Sequence, residues 1–139
     1  MSAEKNLRIV QDMYAAFGRG DVAFVIDHID DACDGFGVVS ETATGAPWNL
    51  PTNVKGKAGA ARYFESLVSI EHLAFEPRDF AATADQVYAT LRLVLRDKKT
   101  GTTIEQPEVV HHFTFKNGKV ARLRILEDTA GTRAAYAKA

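Results

Sequence analysis

The sequence predicts an α+β domain in which helices pack on one face of a bent antiparallel sheet. Apolar residues recur at helical spacing mainly in the first half of the chain. Four segments with the alternation typical of strands follow in succession, separated by short turn sequences. Helices that come first and an antiparallel meander that comes afterwards favour α+β over a repeating βαβ fold.

Two helices and a tight corner are predicted near the N-terminus. Residues 4–18 carry apolar side chains at helical spacing as far as Gly18, a residue that favours a helix end. Asp21 is a natural N-cap for a second helix over about 22–30. A third helix is predicted at about 57–69, where apolar side chains again share one face.

The segment between the second and third helices combines a short strand with a long loop. Residues 33–41 read as a strand that Gly35 and Gly37 weaken. Residues 42–56 read as a loop in which Trp48 lies between two prolines. We interpret this tryptophan as a lid over a pocket mouth; burial against the third helix is the alternative.

Four further strands are predicted near 73–83, 86–97, 102–116 and 119–127, and a short helix is predicted from about 129. In the strand at 86–97 every second residue is apolar, which predicts one buried face. That inner set is Val87, Ala89, Leu91, Leu93 and Leu95.

The last two strands form a hairpin around Asn117-Gly118, a strong turn signal. A two-residue loop would place Arg122 and Arg124 on the same face as His111, where two unpaired guanidinium groups would cost several kcal/mol each, by order of magnitude. A three-residue loop with Phe115 opposite Lys119 leaves both arginines outside. The sequence therefore predicts the three-residue loop, with odd-numbered residues facing inward.

Composition limits the classes of function. The 139 residues suit one domain (1–139), and a net charge of −1 gives no electrostatic footprint for nucleic acid. The single cysteine, Cys33, allows no internal disulfide, and we expect it to be a small buried residue. The chain shows no signal peptide and no apolar run long enough for a membrane span, so a cytoplasmic location is the default expectation.

Several motifs together resemble the nuclear transport factor 2-like superfamily, and its polyketide-cyclase-like (SnoaL-like) branch in particular. They are Met13–Asp21 with its Gly-Arg-Gly-Asp corner, Lys55-Gly56 before the third helix, and His112–Phe115 running into Asn117–Val120. The resemblance covers about residues 5–128. It implies a cone, in which a curved antiparallel sheet wraps around an apolar pocket that three N-terminal and central helices close. It also implies a homodimer formed through the outer face of the sheet.

The resemblance carries over only some catalytic positions. The acid of the ketosteroid isomerase oxyanion hole aligns with His111, so a titratable group is kept there. The catalytic base of that isomerase falls on Phe36. The polar pair of the epoxide hydrolases falls on Leu91 and Leu93, and the last-strand carboxylate of the hydrolases and cyclases falls on Ile125. No single reaction of the superfamily is therefore transferred to this chain.

His111 is the principal candidate for the polar centre of the pocket, because it is an imidazole on an otherwise apolar inner face. It could serve as a general acid, base or electrophile, or simply hydrogen-bond a tyrosine or a buried water. Asp34 lies two residues before Phe36 and could face the same way as a second catalytic group, or it could be a solvated loop carboxylate. The expected ligand-binding residues are aromatic: Tyr14, Phe36, Trp48, Tyr63 and Phe113.

Three functions remain open at this point. The first is a cofactor-independent isomerase, cyclase or dehydratase acting on a small apolar or polycyclic substrate. The second is a module that binds a small hydrophobic molecule without changing it. The third is a structural dimer whose outer sheet binds another protein. We expect no cofactor and no metal, because the sequence has neither a phosphate-binding glycine loop nor a cluster of metal-ligand spacing.

Overall fold

The computed structural model of the chain describes residues 2–38 and 54–137. The mixed α+β fold is confirmed. The helices are α1 (Ala3–Gly18), α2 (Val22–Asp27), α3 (Gly56–Ser66), extended by a 3₁₀ turn at Leu67–Ser69, and α4 (Thr129–Ala137). The strands are β1 (Phe36–Val38), β2 (Ile70–Ala82), β3 (Gln86–Asp97), β4 (Thr103–Lys116) and β5 (Lys119–Leu126). Trp48 and its predicted role lie outside the described residues.

The described strands form one open sheet in the order β1-β5-β4-β3-β2. β2 to β5 are a continuous antiparallel meander, as predicted. β1 departs from the expected all-antiparallel sheet because it runs parallel to β5, with Phe36 opposite Leu123. α3 follows β1, and the chain enters the sheet again at the opposite edge with β2.

Bulges bend the sheet around the helices. In β4 one extra residue separates the Leu91–Val109 pair from the Leu93–Gln106 pair, next to Pro107. The phase of burial changes at this point, because an extra residue exchanges the two faces of a strand. Gln106 is fully buried on one side of the bulge, and Val109 is fully buried on the other.

The hairpin loop between β4 and β5 is shorter than predicted. Lys116 pairs with Lys119, so only Asn117 and Gly118 form the turn, and both have positive φ, 52° and 78°. Positive φ at both central residues is the geometry that Asn-Gly favours in a two-residue hairpin. The predicted three-residue loop is therefore wrong.

A bulge restores the predicted faces despite the shorter loop. Ala121 is the extra residue of β5, since Thr114 pairs with Arg122 while Phe115 pairs with Val120. Beyond this bulge His111 lies opposite Ile125. The odd-numbered residues of both strands consequently face the core there, and Arg122 and Arg124 stay on the outer face, where the Nε atom of each is nevertheless buried without a hydrogen-bond partner among the described residues.

Three helices cover the concave face of the sheet. The side chain of Ser2 accepts a hydrogen bond from the backbone N–H of Lys5 at the start of α1, and Asp21 caps α2 in the same way through Phe24. These caps satisfy backbone donors that have no partner within their helix. The buried faces of α1, α2 and α3 join the inner faces of the strands in a single core.

Candidate functional site

A pocket opens between the helices and the concave face of the sheet. Side chains from α1, α2, α3 and all five strands line it, and nearly all of them are aliphatic or aromatic. The space open to the centre of a water molecule is about 90 Å³. One water needs roughly 10–15 Å³ by this measure, so the pocket has room for several waters or a small organic ligand.

The hydroxyl of Tyr14 and the imidazole of His111 form a hydrogen-bonded pair in the pocket wall. The Tyr14 oxygen lies 2.8 Å from Nδ1 of His111. Helical spacing on α1 turns Tyr14 inward, and the alternation of β4 does the same for His111. We refer to these two residues as the Tyr14–His111 pair.

Aromatic rings enclose this pair. Tyr14 makes an edge contact with Phe75 at 5.4 Å between ring centroids, and Phe113 contacts both Tyr14 and His111 at about 6 Å. Edge-to-face contacts at these distances are favourable for aromatic rings. They hold the hydroxyl and the imidazole in fixed orientations within an apolar environment.

Burial keeps both members of the pair uncharged at neutral pH. His111 is 8% exposed, and desolvation lowers the pKa of its imidazole to about 4. Burial also raises the pKa of the Tyr14 hydroxyl. A phenol is a better donor than a neutral imidazole, so we assign the hydrogen bond as Tyr14 O–H donating to Nδ1. The proton of His111 is then on Nε2, which has no partner among the described residues.

Asp34 is not part of this site. Its side chain is 77% exposed, and one carboxylate oxygen lies 2.9 Å from Nζ of Lys55. The expectation that Asp34 would face the pocket with Phe36 is wrong, because Gly35, which lies between them, has a φ of 145°, outside the range of an extended L-residue. This conformation breaks the alternation between Asp34 and Phe36.

The other expected residues within the described range do line the pocket. Phe36 and Tyr63 meet at 5.5 Å between ring centroids, while Tyr14 and Phe113 lie beside His111. The structure therefore brings together all the predicted pocket residues that it describes, except Asp34.

Glu127 is a pocket residue that was not among the candidates selected from the sequence. It lies just beyond β5 and lines the same pocket as His111. Burial, assisted by the nearby charge of Asp128, raises the pKa of the Glu127 carboxyl to about 7. The pKa of Tyr63 is raised chiefly by burial and also by the charge of Glu127, so the two side chains lie near each other. The odd-numbered residues of β5 face inward, and Glu127 continues this odd-numbered series, which was the available sequence signal.

His72 was also missed as a pocket residue. It projects from β2 into the lining and packs on edge against Phe17, with 5.1 Å between ring centroids. Burial lowers the pKa of its imidazole. The bulge between His72 and Ala74 changes the phase of β2, which alternation alone does not reveal.

Neither a metal site nor a membrane helix is evident in the described part of the chain. No group of three or more His, Cys, Asp and Glu side chains within residues 2–38 and 54–137 could hold a metal ion. None of the helices there is long and apolar enough to cross a bilayer.

The fold and the pocket define the class of protein. The SnoaL-like domain family model matches residues 10–123, most of the chain, and the chain belongs to this family within the nuclear transport factor 2-like (NTF2-like) superfamily. No curated protein matches the chain significantly.

Solved structures agree with this assignment. An NTF2-like protein from Burkholderia xenovorans is 25% identical, with a TM-score of 0.78, and the match covers 97% of this chain and 98% of that one. A candidate isomerase from Rhodopseudomonas palustris is 16% identical over 100% of both chains, with a TM-score of 0.76. A candidate SnoaL-like polyketide cyclase from Mesorhizobium loti is 18% identical, with a TM-score of 0.62, over 86% of this chain and 97% of its own. The last two likenesses show the shared fold.

Proposed function

We propose that the protein is a cofactor-independent enzyme that moves a proton on a small apolar carbonyl compound, with His111 as its polar centre. The observation that carries this proposal is the 2.8 Å contact between the Tyr14 hydroxyl and Nδ1 of His111, inside an aromatic pocket. The candidate isomerase and cyclase among the fold neighbours are in keeping with this type of chemistry.

The Tyr14–His111 pair is suited to stabilising negative charge on a substrate oxygen. With Tyr14 donating to Nδ1, the Nε2–H of His111 is free to donate to a carbonyl that becomes an enolate. A neutral imidazole with a lowered pKa can polarise a carbonyl in this way without first losing a proton. The surrounding rings are apolar, and the low local dielectric strengthens a hydrogen bond in the pocket.

The lining also limits the substrate class. Aromatic and aliphatic side chains form most of the wall, which favours a compact, largely apolar molecule. The described lining includes no lysine or arginine, so the pocket offers no countercharge to an anionic substrate. A fused-ring ketone is compact and largely apolar, and it has a single oxygen for His111.

Exchange of carbon-bound hydrogen tests the proposal. The fused-ring ketone 2-tetralone would be incubated in deuterated buffer with the wild-type protein, with His111→Phe and with Asp34→Asn as an exposed control, and deuterium uptake would be followed by mass spectrometry. We expect exchange above the buffer rate, at least tenfold slower in His111→Phe, and unchanged in Asp34→Asn. Equal rates for wild type and a folded His111→Phe protein would contradict the proposal.

A non-catalytic binding module is the second candidate. Leu93 and Ile125 line the pocket where the superfamily resemblance would place polar catalytic side chains, and this observation favours binding without turnover. Native mass spectrometry of the purified protein would detect a retained hydrophobic ligand. Recovery of that ligand unchanged after long incubation, together with no exchange of 2-tetralone, would support the binding module.

A further inference from the structure

We propose that the carboxylate of Glu127 is the base that takes the proton from a substrate held against His111. This inference rests on the proposed function, since it assigns a second catalytic residue to the same pocket. Glu127 was not among the positions that the superfamily resemblance brought forward, and its role is argued from its place in the wall.

The register of the last strand fixes the position of Glu127 relative to His111. Ile125 lies opposite His111, and Glu127 is the next inward-facing residue along the chain. Alternate residues of an extended chain are about 6.5 Å apart, so a side chain two positions on reaches a neighbouring part of the same cavity. A small ligand that touches His111 therefore lies within reach of the Glu127 carboxylate.

The part of the chain that the structure describes leaves the charge of Glu127 weakly compensated. The titratable groups that interact with it are the neighbouring Asp128 and Tyr63 from α3, and the two imidazoles of His72 and His111 line the same pocket. Among the described residues its carboxylate forms no ion pair and no hydrogen bond to a side chain. A poorly solvated carboxylate without a countercharge is a stronger base than one in water.

The two groups divide the reaction between them. His111, with a pKa of about 4, is a weak base but remains a hydrogen-bond donor at neutral pH. Glu127, with a pKa of about 7, is matched to proton transfer near neutrality. Its carboxylate takes a proton from the carbon next to the carbonyl, and the C–H electron pair becomes the enolate double bond while charge moves to the oxygen bound by His111. The protonated Glu127 then returns the proton to carbon.

A probe that needs only a base tests Glu127 separately from His111. In 5-nitrobenzisoxazole a base removes the ring C–H proton, the C–H electrons form a nitrile, and the N–O bond breaks to give a coloured phenolate. Turnover would be measured across about pH 5 to 9 for wild type, Glu127→Gln and Glu127→Asp. Glu105→Gln is the matched control, because Glu105 is exposed on the same sheet and pairs with Arg92.

We expect kcat/KM of the wild type to rise with pH and to level off above an apparent pKa near 7. Glu127→Gln should be at least tenfold slower and lose this pH dependence with little change in KM. Glu127→Asp should keep the pH dependence at a lower rate, and Glu105→Gln should match the wild type. A wild-type protein no faster than folded Glu127→Gln would overturn the inference. Loss of 2-tetralone exchange with retained, Glu127-dependent turnover of this probe would instead overturn the proposed function alone.

Discussion

The hydroxyl of Tyr14 lies 2.8 Å from Nδ1 of His111 and so joins α1 to β4 across the pocket. The two residues are 97 positions apart in the chain. This hydrogen bond connects a helix and a strand that are distant in the sequence, and it also orients the imidazole that faces the cavity. It therefore contributes both to stability and to the geometry of the site, and substitutions can separate the two contributions.

Replacing Tyr14 with Phe removes the hydroxyl and leaves the ring in place. We expect a loss of about 1–2 kcal/mol in the free energy of unfolding, because Nδ1 of His111 is left without a partner in a buried site. Exchange of 2-tetralone should fall about tenfold, since the imidazole can then adopt either tautomer. Tyr88→Phe is the matched control, because Tyr88 is 42% exposed on the outer face. Equal losses in both variants would show that the hydrogen bond is unimportant.

The buried imidazole of His111 should make stability depend on pH on the acid side. Its pKa is about 4 in the folded protein, below the usual 6.5, so the unfolded chain binds the proton first as pH falls. The neutral imidazole contributes to the free energy of unfolding above pH 6.5. This contribution, on the order of 3 kcal/mol, is lost as pH drops towards 4. Urea unfolding across this range should show that His111→Phe lacks this component. Parallel profiles for the two proteins would contradict the burial of a neutral imidazole.

The raised pKa of Glu127 predicts the opposite trend. Its folded pKa is about 7, above the usual 4.5, so the folded protein holds this proton more tightly than the unfolded chain does. Stability is therefore lost as pH rises from about 4.5 to 7. Glu127→Gln should gain stability over wild type as pH increases, by about 1–2 kcal/mol at pH 8 after allowance for partial solvation. Thermal melts at pH 5 and 8 would measure this, and Glu105→Gln should show no such gain.

The local features of the fold could be read from the sequence, while the features set by neighbouring elements could not. The alternation in β3 correctly predicted its buried face, with Leu91 and Leu95 almost fully buried. The faces of the β4–β5 hairpin were also correct, although the loop length was not. The bulge at Ala121 compensates for the shorter loop, and alanine carries no sequence signal for a bulge.

The candidate site shows the same division. His111 and its aromatic neighbours followed from periodicity, because their strands and helices are regular. Asp34 was misplaced because the positive φ of Gly35 breaks the alternation that would turn it inward. Glu127 was not selected because residues at strand ends are usually solvated; this one lines the pocket, where its charge helps to raise the pKa of Tyr63 from α3.

Gln106 should control the attachment of α4 to the sheet. It is fully buried, and its Nε2 donates to the carbonyl of Asp128 and to Oγ1 of Thr132, each at 2.8 Å. Its Oε1 accepts from the backbone N–H of Asp128 at 2.9 Å. Gln106→Ala removes these bonds and leaves buried polar groups without partners, so we expect a loss of about 2–4 kcal/mol in the free energy of unfolding.

The loss should be concentrated in α4, because the helix is short and these bonds fix its first turn. Amide hydrogen exchange across residues 129–137 should become much faster in Gln106→Ala, while exchange in β3 changes little. Gln11→Ala, on the exposed face of α1, should leave both regions as in the wild type. Uniformly faster exchange across the whole sheet would show that Gln106 supports the core as a unit and would contradict a local role in holding the C-terminal helix.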